Sequence, residues 1–101
     1  MPTLVRVENE NGDEVESFED LGDVVTSLAG RAGEGVLVLA QSIDPWGNTV
    51  FNRLQMPSLL KDLDALREGA SSEEQAALME VEKLARRAME RIHHYLKFYG
   101  D

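Results

Sequence analysis

The stretch from Ser71 to about His93 constrains this chain more than any other. On a helical wheel Leu78, Val81, Leu84, Ala85, Ala88, Ile92 and Leu96 gather on one side, and Glu80, Lys83, Arg87, Glu90 and His94 lie opposite. The spacing predicts a helix over Glu73–His93. Ser71 and Ser72 precede it, with Glu74 and Gln75 three positions after each, which predicts two overlapping capping boxes. Glu82 and Arg86 stand four apart in the favourable order for an ion pair along the helix. A helix this long with one apolar side is stable only if that side is buried against a second layer. Part of that layer is a shorter helix. Pro57 suits its first position, Leu59, Leu60, Leu63 and Leu66 form its stripe, and Gly69 stops it.

The rest of the second layer reads as a sheet. Val36–Ile43 is almost wholly apolar, as a strand covered on both faces would be. Asp44-Pro45-Trp46-Gly47-Asn48 is a turn, with Pro fixing φ and Gly tolerating a positive one. Thr49, Val50, Phe51 and Leu54 bring the chain back, so this segment is predicted to pair with Val36–Ile43. At the other end, Thr3–Glu8 and Glu14–Phe18 flank Asn11-Gly12, which predicts a hairpin with a type I′ turn and a return strand on the sheet edge. Ser17 reads as a helix N-cap with Asp20 three positions on, followed by Leu21, Val24, Val25 and Leu28 on one helical face. The tail Tyr95–Tyr99 either frays or adds a short strand. The order is β-β-α-β-β-α-α. It predicts a single α+β domain over residues 1–101, with an antiparallel sheet of about four strands in two hairpins backed by three helices.

Charge narrows the function. The 101 residues carry a net charge of −9. Residues 1–34 hold nine acids and two bases, and Glu8–Asp23 holds eight acids and no base. Nucleic acid and anionic membranes are bound through clustered Lys and Arg, so neither is the expected partner. A basic protein is, because opposite fields steer encounter. The bland alternative is that acidity only keeps a small protein soluble. With no cysteine in the chain, disulfides, thiolate metal sites and cysteine nucleophiles are excluded. No apolar run is long enough to span a bilayer, and a cytoplasmic location is expected.

No phosphate-binding loop, metalloprotease motif or serine-hydrolase elbow occurs. His93 and His94 are adjacent and would point about 100° apart on a helix, which suits a dipole-stabilising role better than a metal site. Ser71 and Ser72 are explained as caps, and Glu73-Glu74 by the helix N-terminus. No metal or cofactor is therefore expected. The turn is harder to dismiss: Trp46 is the chain's one tryptophan, and Asn52 and Arg53 follow on the returning strand. Tryptophan and arginine dominate binding hot spots. The candidate binding residues are Asp44, Trp46, Asn48, Asn52 and Arg53, joined by Tyr99 and Asp101 from the tail.

The segment Asp44-Pro45-Trp46-Gly47-Asn48-Thr49-Val50-Phe51-Asn52-Arg53-Leu54-Gln55, together with the ending Leu96-Lys97-Phe98-Tyr99-Gly100-Asp101, resembles a group of small bacterial proteins of unknown function. The resemblance spans roughly the last 60 residues and brings no activity with it; it implies that turn and tail act together. The leading reading is a non-enzymatic, small acidic interaction protein of the immunity-protein or inhibitor type with a basic protein partner. The alternative is a small-ligand-binding or enzymatic domain with its site around Asp44, Trp46, Arg53 and the tail. A third is a homo-oligomer joined through sheet edges.

Overall fold

The computed structural model describes residues 3–20, 24–31, 43, 47–90 and 93–100. The chain begins with an antiparallel hairpin of β1 (Thr3–Glu8) and β2 (Glu14–Asp20), running from Thr3 opposite Asp20 to Glu8 opposite Glu14. Its turn is not type I′. The Gly12 N–H donates to the Asn9 carbonyl at 3.0 Å, and the Asn9 side chain accepts from the N–H groups of Asn11 and Asp13 at 2.9 and 3.0 Å. Gly12 has φ +82°, whereas Asn11 is not in the left-handed region. A type I turn closed by a left-handed glycine fits these bonds, and the Asn9 side chain satisfies donors that a type I′ turn would have oriented differently.

The predicted cap also moves. Ser17 lies inside β2, opposite Arg6. The strand runs on through Glu19 to Asp20, and the buried Asp20 carboxylate accepts from the N–H groups of Val24 and Val25 at 3.1 and 2.9 Å. Asp20 thus satisfies the first free donors of α1 (Val24–Arg31). Asp20→Ala is expected to lose about 1–2 kcal/mol of stability in urea unfolding. Ser17→Ala should stay within about 0.5 kcal/mol of the parent.

Among the described residues the sheet is four-stranded and antiparallel, in the order β2-β1-β4-β3, with β3 at Asn48–Phe51 and β4 at Tyr95–Tyr99. The tail is therefore a strand, and an inner one. It pairs with β1 from Leu4–Tyr99 to Glu8–Tyr95, and with β3 from Asn48–Tyr99 to Phe51–Leu96. The predicted return strand ends at Phe51, and its described partner is β4. Its expected mate Val36–Ile43 lies outside the described residues, apart from Ile43, which is buried. Beyond Phe51 the chain enters a 3-10 turn, Arg53–Gln55, and Leu54 is 81% exposed rather than a strand anchor.

Two helices form an antiparallel pair against the sheet: α2 (Met56–Leu66), with Pro57 in its first turn, and α3 (Ser72–Met89). Gly69, at φ +77°, makes the bend between them. One capping box forms rather than two: the Ser71 hydroxyl accepts from the Glu74 N–H, and the Glu74 carboxylate accepts from the Ser71 N–H. Ser72 is already the first helical residue. The stripe residues Leu59, Leu63, Leu78, Val81, Leu84 and Ala88 are buried and join Val5, Val7, Phe51, Leu96 and Phe98 in one core.

Two expectations for α3 are corrected. The helix ends at Met89, so Leu96 and His94 are not on it; Leu96 is core-facing in β4, and His93 sits in a turn at φ 64°. Glu82, 5% exposed, pairs not with Arg86 but with Arg67 from the end of α2. The helix pairing turns Glu82 inward, where burial selects the cation that reaches it from the facing helix. No helix among the described residues is long and apolar enough to cross a membrane.

Candidate functional site

Two surfaces compete for the role, and they differ in how far their polar groups are already used. The first lies where β3 meets the tail. Asn48 faces Tyr99 in the ladder, and the Gly100 N–H donates to the Gly47 carbonyl at 2.7 Å. The end of the turn segment and the tail are thus joined by backbone bonds.

The side chains here serve the sheet. The Tyr99 hydroxyl donates to the Glu8 carboxylate, with the Arg6 guanidinium 5.5 Å and the Lys97 ammonium 4.7 Å from the ring centre. Arg6 Nε lies 3.2 Å from Glu8 and 3.3 Å from Glu14, and Lys97 lies 4.0 Å from Glu8. Two cations, two carboxylates and a phenol make a locally neutral patch. Its alternation along β1 and β4 places it on the face opposite Val5, Val7, Leu96 and Phe98. Asn52 is also engaged: its side chain accepts from the Gln55 N–H at 3.1 Å, while the Gln55 side chain accepts from the Asn52 N–H at 2.8 Å. Arg53 is exposed on the same 3-10 turn. Of the residues singled out from sequence, the structure joins Asn48 to Tyr99 and sets Asn52 and Arg53 on the next turn. Asp44, Trp46 and Asp101 lie outside the described residues.

The second surface is acidic. β2 is the outer strand of the hairpin, and Glu14, Glu16 and Glu19 on it are exposed. Beside its end a groove of about 420 Å³ opens between β2, the start of α1 and the first turns of α3. Phe18, Val24, Ala76 and Ala77 supply its apolar lining, and Glu19, Asp20, Glu73 and Glu80 its carboxylates; no lysine or arginine is among the described residues that line it. Asp20 is committed to capping α1, and Glu80 meets Lys83 at 3.7 Å along the helix surface.

Sequence reasoning missed the contribution of α3. Glu73 is sufficiently explained by the helix dipole, and Glu80 by the polar side of the wheel. The available signal was the spacing: positions 73, 76, 77 and 80 share one helical face that is acidic at both ends and small in the middle. Among the described residues no group of three or more His, Asp or Glu side chains is arranged to hold a metal ion. Compared with protein-family models, with curated proteins and with solved structures, the chain finds no match.

Proposed function

We propose that this is a small acidic, non-enzymatic interaction protein of the cytoplasm, of the immunity-protein or inhibitor type, presenting a sheet backed by three helices to a basic protein partner. The observation that carries the reading is the outer strand β2, on which Glu14, Glu16 and Glu19 are all exposed. Glu14 shares Arg6 with Glu8, while Glu16 and Glu19, on opposite faces of the strand, lie outside the Tyr99 patch that takes up Arg6 and Lys97. The patch, Glu14 included, is neutral, and Glu16 and Glu19 leave the outer strand negative. Such an edge attracts a basic surface and repels an acidic one. Acidic side chains on an edge strand also discourage strand-to-strand aggregation, and that role requires no partner.

Comparative capture separates the two. The parent and the Glu14→Gln/Glu16→Gln/Glu19→Gln variant are immobilised side by side and exposed to the same cell extract at low ionic strength. Proteins held by the parent and lost from the variant are expected to be basic, and to reproduce that preference when purified. Recovery of the same proteins by both, or of acidic proteins only, would overturn the reading. The variant should remain folded, since all three positions are exposed and Arg6 keeps Glu8 at 3.2 Å.

A further inference from the structure

Resting on that reading, we propose that the groove beside β2 seats an arginine side chain of the basic partner. Its shape and chemistry suit arginine rather than a generic cation. The lining is chiefly apolar, through Phe18, Val24, Ala76 and Ala77, with Glu73 and Glu80 about two helical turns apart along it. A long aliphatic stem lies favourably on such a surface while its charged head reaches the carboxylates. The guanidinium is planar and weakly hydrated, and it stacks on aromatic rings more readily than an ammonium does. Phe18 offers such a ring, because it is only half-buried against the core.

The acids divide the work. Asp20 is held by the Val24 and Val25 N–H groups and fixes the groove's corner. Glu73 lies in the first turn of α3, and Glu80 has only the well-exposed Lys83 at 3.7 Å to displace. A surface pair of that kind is worth little and gives way easily. The volume of about 420 Å³ falls within the range of about 300–1,000 Å³ typical of ligand clefts. No cation from the described residues lines the groove, so charge complementarity selects a positively charged occupant from outside.

The test uses the full chain, the tripeptide acetyl-Leu-Arg-Leu-amide and its citrulline counterpart, which keeps the shape and lacks the charge. Amide resonances are followed by nitrogen–proton NMR. The arginine peptide is expected to shift Phe18, Val24, Ala76 and Ala77 saturably, and the citrulline peptide to bind about tenfold more weakly or worse. Glu73→Gln/Glu80→Gln should weaken binding several-fold. Ala76→Phe, which keeps every charge and fills the lining at an exposed position, should abolish it. Absence of saturable shifts, equal binding of the two peptides, or unchanged binding by Ala76→Phe would overturn the proposal. The groove and the broader reading fail separately. A captured basic partner that is lost on Glu14→Gln/Glu16→Gln but held equally by Ala76→Phe would sink the groove and keep the reading. Saturable arginine binding with no basic partner captured would keep the groove as an arginine site and sink the broader reading.

Discussion

Phe98→Ala is expected to remove about 3–5 kcal/mol of stability. Phe98 is 1% exposed, sits on the inner strand β4, and meets Phe51 of β3 edge-to-face at 5.8 Å and 89°. Truncation removes the transfer free energy of the ring and leaves a cavity at the point where β1, β3, β4 and the helix pair converge. A domain of this size has roughly 5–15 kcal/mol in total, so the variant should be close to half unfolded under mild denaturant. Phe98→Leu conserves most of the volume and should cost less than Phe98→Ala, about 1.5 kcal/mol at most. Urea unfolding of both variants checks the claim. A loss below about 1 kcal/mol for Phe98→Ala would mean that the tail is not an inner strand.

Arg67→Ala is expected to cost about 1–3 kcal/mol, although the residue belongs to a surface turn. Its guanidinium is the partner of Glu82, whose side chain is 7% exposed against 40% for Arg67. Removing the cation leaves a buried carboxylate unpaired; a fully buried pair broken this way loses about 3–5 kcal/mol, and the open side of Arg67 reduces that figure. Deleting both charges together should hurt much less, because apolar replacements of buried ion pairs are often neutral. Arg67→Met/Glu82→Leu is therefore predicted to be more stable than Arg67→Ala alone in the same urea titration. An equally large loss in the double variant would assign the effect to lost packing instead. Arg86→Ala, by contrast, should be nearly silent, since Glu82 does not use it.

What could be read from residues alone divides along a physical line. Features settled by local chemistry were legible: the Ser71–Glu74 capping box, Pro57 at the start of α2, the leucine stripe, and β2 as an outer strand. The α+β class with an antiparallel sheet follows from the same patterns, but the fourth described strand is the tail, while Val36–Ile43 of the expected second hairpin lies outside the described residues apart from Ile43. Features settled by distant partners were not. Ser17 is expected as the N-cap with Asp20 three positions on, but Thr3 pairs with Asp20, the strand extends past Ser17, and Asp20 itself takes the N–H groups of α1. Tyr95–Tyr99 alternates correctly for a strand, yet only β1 and β3 together make it an inner one. Glu82 looks like half of a helical ion pair until the packing of α2 brings Arg67 to it.

The candidate site shows the same split. Glu14, Glu16 and Glu19 were visible as an acidic run, because charge is carried by the chain itself. The groove needed Phe18 from a strand, Val24 from one helix and Glu73 and Glu80 from another, placed side by side only by the packing of α3 on the hairpin. The residue type marks Tyr99 as a binding candidate; that its hydroxyl and the neighbouring Arg6 and Lys97 all reach Glu8 is visible only in the sheet. Asn52 carries a local capping duty that its position after Phe51 did not reveal.

The central claim, an acidic outer strand that draws in a basic protein, is tested most directly by association kinetics with the captured partner. The parent and the Glu14→Gln/Glu16→Gln/Glu19→Gln variant are mixed with it in a stopped-flow instrument across a range of salt. Steering by exposed charge acts on the association rate and is screened over roughly 10 Å at 0.1 M ionic strength. The variant is predicted to associate several-fold more slowly than the parent at low salt and to approach its association rate at high salt. Equal association rates at low salt would contradict the account and leave the acidity of β2 as a guard against aggregation.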